Sequence, residues 1–520
     1  MKQCGIGSVW RAVVAGMLAG VWLTGSAQAQ PVGEQNLPRN KPILFSIVEQ
    51  ARQSAEQSAP PAPLTLPESV ANMQYEQYQA ISFKPQQALW KDQQPFSVTF
   101  VHPGLSAHQP VPVVVVNRNN RQTELAFTPA MFDYGKDAEA ITGLDGITGF
   151  AGFSLYAQGH SKPFVKFDGA SFMRLAGFEQ EFGAAARALA IDTALPKGEE
   201  TPRFTRFWLI EPGSDEAVTV YARLESASVA GAYAFSFYPG KQVKVDVQGW
   251  LFARKSVKKL GLAPFTSMFL YGENTERQYD DYRPEVHDSD GVLMINEKAE
   301  QIWRPLTNPN RLQISALPAS VPKGFGILQR DSDFDNYLDA QANYQLRPGL
   351  WVKPKEGFGE GHLETVEIPA DSEIHDNISA HWVAAQSVKK GQSRYLRYTM
   401  HTMTHNPLVY NKAVVARTRQ GASKTAGFES SARQVIRRFV VDFDLPSGFS
   451  LPAEELDLIM GADNAQIKDA SIYNVNGNRQ MRATFLLLPA DAKPIDIQLV
   501  LEHNKQAVSE VWHYVYQPAQ

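Results

Sequence analysis

A single cysteine serves the whole chain, and it is Cys4, inside the first thirty residues. That excludes a disulfide-stapled mini-fold and a thiol nucleophile in whatever lies downstream. The only apolar run near the N-terminus, Ala12 to Leu23, is too short to span a bilayer comfortably. No excess of basic charge exists either: net charge is −4 and the pI is near 6.3, so nothing points to a nucleic-acid partner. A Gly-x-Ser-x-Gly elbow, a P-loop, a dinucleotide fingerprint, an internal repeat and a low-complexity tract are all missing.

What is present at the N-terminus reads as an export signal. Lys2 and Arg11 are its only charges, Ala12 to Leu23 its apolar core, and Ala27-Gln28-Ala29 an A-x-A cleavage site. Cleavage after Ala29 would leave a cysteine-free chain beginning at Gln30, more negative by two charges. With no lipid-attachment cysteine and no paired arginines, the expected product is soluble and located in a bacterial periplasm.

The remaining length is too great for one ordinary core. Residues 30–64 read as linker at both ends, through Pro31, Pro38 and Pro42 and then Pro60-Pro61-Ala62-Pro63. Leu44 to Ser58 between them has the apolar spacing of one short helix, expected to pack loosely on the body. From about residue 80 the period is two. Phe96 to Val101 alternates, and Val113 to Val116 is a β-branched run. Phe207–Ile210 and Val218–Ala222 flank Pro212-Gly213-Ser214, while Tyr233–Phe237 and Val243–Val247 flank Pro239-Gly240, as hairpins do. One stretch differs: Phe178 to Ile191 contains Ala184-Ala185-Ala186-Arg187-Ala188-Leu189-Ala190, a strong helix former. After residue 404, runs at 439–443, 484–488, 495–501 and 511–515 suggest a small immunoglobulin-like sandwich. The fold class is therefore all-β, a large sandwich over 30–404 followed by an immunoglobulin-like domain over 405–520, with 1–29 as signal peptide.

Chemistry concentrates in two stretches. Tyr282-Arg283-Pro284-Glu285-Val286-His287-Asp288-Ser289-Asp290-Gly291 packs an aromatic ring, a guanidinium, a histidine and three carboxylates into ten residues. Asp371-Ser372-Glu373-Ile374-His375-Asp376-Asn377 follows, with Asp376 lying 88 residues after Asp288. Paired carboxylates suit glycosidic hydrolysis, which needs an acid for the leaving oxygen and a base for water. Asp-rich loops also serve as turns, caps or calcium ligands. Asp331-Ser332-Asp333-Phe334-Asp335 begins like a calcium loop but lacks the glycine and the distal glutamate. His401 and His405 are four apart in a strand-like pattern, where that spacing builds no zinc face. No metal and no cofactor are expected. Trp303, Tyr337, Trp351 and Trp382 lie near the acids in sequence, as sugar platforms or as core.

These residues carry a resemblance. Leu189 to Pro196, Ala263 to Phe269, Tyr282 to Gly291, Ile302 to Leu306, Gly326 to Arg330 and Val366 to Pro369 together resemble the periplasmic glucan biosynthesis proteins of the G/D type (MdoG/OpgG and OpgD). The absence of paired arginines is closer to the G-type, and Asp290 to the D-type. The resemblance implies a galactose-mutarotase-like N-terminal sandwich, an immunoglobulin-like C-terminal domain, and a role in making osmoregulated, β-1,2-linked periplasmic glucans. It implies inverting glucanase or transglycosylase chemistry, with Asp376 as general acid and Asp288 as base through a water relay. Such a relay would relax the usual carboxyl separation of about 6.5–9.5 Å. Tyr282, Arg283, Glu373, Trp303, Arg330 and Tyr337 are the expected substrate contacts. The chain departs from the family at Ala370, Ile374 and His375, where Thr, Thr and Asn are usual. A non-catalytic glucan-binding module is the alternative reading. Expected partners are a β-glucan and the membrane glucan synthase, with a homodimer left open.

Overall fold

The computed structural model describes residues 31–518 except 93, 106–108, 139–140, 170–171, 214–215, 276–278, 405–411, 424–435 and 478. The expected signal peptide, its cleavage point, His405 and the 404/405 boundary lie outside the described residues. The chain forms two compact units, one within Ala29–Tyr410 and one within Asn411–Gln520. Among the described residues no helix is long and apolar enough to cross a membrane.

The larger unit is built around two large sheets, with two two-stranded ones beside them, Ile81–Phe83 with Phe132–Tyr134 and Phe269–Tyr271 with Val286–His287. The first runs, in spatial order, Phe96–Val101, Gly152–Ala157, Val165–Asp168, Phe172–Leu175, Ala185–Arg187, Leu260–Ser267, Ile378–Ala384, Gly361–Glu367 and Gln313–Ala319, with Leu189–Ile191 also paired to Leu260–Ser267. In the second, Gln301–Pro305, Gly291–Ile295, Gly324–Leu328, Gly349–Glu356 and Ser393–Met403 lead to Lys244–Ala253. Val229–Tyr238, Val218–Glu225, Arg203–Ile210, Val113–Val116 and Gln122–Glu124 complete it. Both expected hairpins form, with Leu209 opposite Val220 and Phe237 opposite Val245. Alternation does the sorting: in Phe96–Val101 every second side chain is buried. Phenylalanines meet between the sheets, Phe153 at 5.1 Å from Phe207 and Phe167 at 5.9 Å from Phe235, edge to face.

Two local expectations fail for physical reasons. The alanine-rich stretch is not a helix but two short strands, Ala185–Arg187 and Leu189–Ile191, fully buried. Alanine's helix preference is worth under a kilocalorie per residue. Here it loses to pairing on both sides, Ala186 lying opposite both Met173 and Phe265. The expected helix does form, as Pro42–Glu56, but it is not loosely attached. Leu44, Ile47, Val48 and Ala51 are buried against Val114, Trp208, Trp250 and Phe252 on the outer face of the second sheet. Its last turn is bolted by Arg254, whose guanidinium donates to the Ser54 and Gln57 carbonyls at 3.0 and 3.1 Å and to Glu225 at 2.8 Å. A cation at a helix C-terminus satisfies carbonyls that have no intrahelical donor.

The smaller unit packs the sheet Val414–Ala422, Arg437–Asp444, Gln480–Pro489, Ala465–Val475 against strands Asp457–Ala462, Ile495–His503 and Val511–Tyr516. Phe439 stacks on Phe485 at 5.2 Å and meets Tyr514 edge-on at 5.5 Å, giving the immunoglobulin-like sandwich its core.

Arg254→Ala would take from the buried Glu225 carboxylate its 2.8 Å guanidinium partner, leaving Ser54 and Arg223, and would uncap the helix. The expected loss is about 3 kcal/mol in urea unfolding. Arg254→Met with Glu225→Leu in one chain is expected to recover most of it; if the single and double variants unfold alike, the ion pair is not what holds the helix.

Candidate active site

The two acidic stretches come together. Met268 to Tyr271 continues the strand Leu260–Ser267 beyond the first sheet, and the Asp288 N–H donates to the Met268 carbonyl at 2.8 Å. Asn377 stitches the second stretch onto the same backbone. Its Oδ1 accepts from the Phe269 N–H at 2.8 Å, and its Nδ2 donates to the Phe269 and Ile368 carbonyls. Asn308 does the same further along, exchanging two bonds of 2.7 and 3.0 Å with the backbone of Ala370.

Two arginines organise the carboxylates. Arg347 donates a short bond to Asp288 and a 3.0 Å bond to the Ala342 carbonyl, while its guanidinium lies 4.1 Å from the Tyr344 ring centroid. Arg174, on the strand Phe172–Leu175, reaches Asp376 Oδ2 at 3.5 Å and also donates to the Gly183 carbonyl. Gly183 itself has no room for a side chain, since a Cβ there would sit 2.9 Å from Arg347 Cβ. Asp376 keeps 32% of its side chain exposed, whereas Asp288 is buried. The Asp376 carboxyl is held above its ordinary value by burial; Arg174 opposes this, Asp288's charge adds to it, and Arg347 opposes it. Asp288 and Asp376 therefore sit within electrostatic reach of one another.

The expected substrate residues divide into two groups. Tyr282 is 71% exposed, and Arg283 and Glu373 meet at the rim at 2.7 Å. Arg283 also grips Asp281 and Asp339, at 2.7 and 3.0 Å, and holds Asp281 down to about 2. Glu373 accepts a 2.9 Å bond from the Tyr344 hydroxyl, which ties the rim to the Arg347 clamp. Trp303 and Tyr337, by contrast, are 3% and 0% exposed and sit behind the site. Arg330 lies 3.5 Å over the Trp303 ring, spending that face on a cation–π contact. Gly291 packs against the same ring, where a Cβ would come within 2.2 Å. Trp351 and Trp382 are core residues. Ile374 is 80% exposed beside the acid, and His375 is exposed too.

A buried polar layer lies beneath. Gln329 Nε2 donates to the His287 carbonyl, its Oε1 faces His287 Nδ1 at 3.1 Å, and His287 Nε2 faces Glu285 at 2.8 Å. Both ring nitrogens face oxygen atoms that can accept a hydrogen bond. Glu285, His287 and Asp331 put potential ligand atoms within 4.8 Å of one another, the grouping among the described residues whose composition suits a metal. Asp333 and Asp335, of the calcium-like stretch, are exposed while Asp331 is buried. Asp290 accepts from the Arg330 and Asp331 N–H groups at 2.9 and 3.2 Å. Burial and then the Asp331 charge push its carboxyl well up, against His287 and Arg330.

Arg174, Arg347, Tyr344, Asn308 and Asn377 carry no motif in the sequence and were not expected. Asn377 alone had a local cue, its place directly after the acid.

With this geometry in hand, the comparisons fall into one class. The family described as periplasmic glucan biosynthesis protein, MdoG, matches residues 44–516, and the chain belongs to that family. It is 38% identical to a probable glucans biosynthesis protein D of Shewanella oneidensis over 463 residues, 87% of this chain and 84% of that one. It is 36% identical to a glucans biosynthesis protein G of Shewanella sp. strain MR-4 over 499 residues, 94% and 90% of the two chains. A glucans biosynthesis protein D 1 of Ralstonia nicotianae is 37% identical, covering 95% and 93%. Likeness to G and D proteins is thus nearly equal. Among solved structures, a galactose mutarotase related enzyme of Lactobacillus acidophilus aligns over 46% of this chain and 97% of its own, at 8% identity and a TM-score of 0.21, too slight to carry an argument.

Since Asp290 binds its proton more tightly folded than unfolded, it lowers stability as pH rises from the ordinary aspartate range through its raised folded value. Asp290→Asn keeps an acceptor for both N–H groups and removes that penalty. At pH 8 the variant is expected to gain on the order of 1–3 kcal/mol over wild type, and at pH 4 little or nothing, read by denaturant melts at the two pH values.

Proposed function

We propose that this protein acts in the biosynthesis of osmoregulated periplasmic glucans by cutting or transferring β-1,2-glucan backbones with inversion. The observation that carries the reading is the pairing of a partly exposed, proton-retaining Asp376 with a buried, arginine-clamped Asp288. Environments that push two carboxyls apart in proton affinity are how acid and base roles separate. Asp376, half-open to solvent, would protonate the glycosidic oxygen. Asp288, held in place by Arg347, would take the proton from the attacking water through a relay. Tyr282, Arg283 and Glu373 at the rim would orient the chain. The family description and the G and D relatives support glucan as the ligand and the periplasm as the location. The membrane glucan synthase and a second copy of the chain are proposed as partners on that basis alone.

The rival reading, glucan binding without chemistry, is favoured by the Arg347–Asp288 ion pair, which already occupies Asp288 Oδ1. One assay separates the two: the mature protein with linear β-1,2-glucan, following reducing ends and the anomer first released. Turnover is expected, with Asp376→Asn and Asp288→Asn each lowering it by about 10²–10⁴-fold. Binding with no turnover selects the rival, and equal turnover by Asp376→Asn overturns the assignment of the acid.

Arg174 supplies the cation that opposes proton retention at Asp376. Arg174→Met should therefore raise the pKa of the acid further and move the alkaline limb of the kcat profile to higher pH. An unmoved limb would mean that another group sets it.

A further inference from the structure

Antiparallel pairing provides a ruler leading away from Asp376. Arg174, which holds the acid, lies directly opposite Lys166 on the neighbouring strand Val165–Asp168. Residues directly opposite share one face of a sheet, with Cβ atoms about 5 Å apart. Val165 and Phe167 are buried in the core between the sheets, so Lys166 and Asp168 face outward, as Arg174 does. One strand beyond the acid's own partner, the outer face of the first sheet opens into a cleft of about 370 Å³, and Lys166 and Asp168 line it. Tyr75, Tyr78, Phe83 and His102 are among its other walls. This volume is in the range of sites for small molecules.

The lining chemistry restricts the ligand. Lys166 and Asp168 bind each other at 3.1 Å, so their charges cancel. His102 donates from Nδ1 to the Pro103 carbonyl at 2.5 Å, and its Nε2 takes the Tyr134 hydroxyl at 3.0 Å. The carbonyl fixes the proton on Nδ1, and burial lowers the ring to about 4, which keeps it neutral. The cleft therefore offers no net charge to an anion. It does offer aromatic walls and hydroxyl- and ion-pair-based hydrogen bonding, the combination that suits a neutral polyol ring. Tyr75 is 63% exposed, with its hydroxyl accepting from Gln79 at 2.8 Å, so its ring is open to solvent rather than used as core.

We propose that this cleft is a distal sugar subsite, which takes a neutral glucosyl unit of the same chain whose scissile bond lies at Asp376. By holding the substrate away from the reacting bond, it makes the protein select long glucan segments over short ones. The inference rests on the glucan reading given above and adds the place, the residues and the length preference.

The test is a calorimetric titration of full-length mature protein carrying Asp376→Asn, with linear β-1,2-gluco-oligosaccharides of graded length as probes. Wild type is run in parallel at low temperature to guard against a misfolded background. Affinity is expected to rise with length and then level off. Tyr75→Ala, an exposed change, is expected to weaken the longest probe about three- to tenfold and to leave the shortest bound probe unchanged. Lys166→Met should act in the same direction. If both variants bind long probes as tightly as the parent, or lose all lengths equally, the distal subsite is wrong while the glucan reading stands. If neither the parent nor wild type binds any probe, the glucan reading itself falls, and the subsite with it.

Discussion

Two carboxylates cannot share a partly dry groove without a cation to hold them. At an effective dielectric of about 20 and several ångströms, their repulsion is on the order of 2 kcal/mol. Arg347 and Arg174 remove it from opposite sides. Arg347 is itself held by the Ala342 carbonyl, the face of Tyr344 and the bare Cα of Gly183. Arg174 is held by the sheet that carries it. The order of dependence is thus scaffold, guanidinium, carboxylate, and only then substrate.

The scaffold around these carboxylates is closely packed. Interlocked phenylalanines fill the space between the sheets, and the helix Pro42–Glu56 closes the outer face of the second. The outer face of the first sheet carries Arg174 and Lys166. Loops from three distant parts of the sequence, around 268–290, 330–347 and 368–377, converge there. Side-chain amides of Asn308 and Asn377 join them by bonding to backbone. Backbone-directed amides fix loop position without demanding particular neighbours.

Alternation and turn residues made the sandwich legible before any coordinates: Phe96–Val101 and the two hairpins around Pro212-Gly213 and Pro239-Gly240 follow from period two alone. The alanine-rich stretch misled, because a preference of a fraction of a kilocalorie per residue is invisible once both strand edges are paired. The acids were legible as dense polar runs. Their cations were not, since Arg174 sits in an ordinary strand and Arg347 in an ordinary loop, and only folding makes either special. Trp303 and Tyr337 stood near the acids in sequence, yet nearness along the chain says nothing about which side of a loop a ring takes. Here a cation–π partner and the core claimed them.

One feature bears on which positions near Asp376 the fold constrains. Every polar contact at position 370 is made by main-chain atoms, to Asn308 and to the Tyr279 hydroxyl. The fold therefore holds position 370 through its backbone. Ile374 and His375 stand exposed further along, so a substitution at either alters the surface beside Asp376 while the backbone there stays pinned through Asn377.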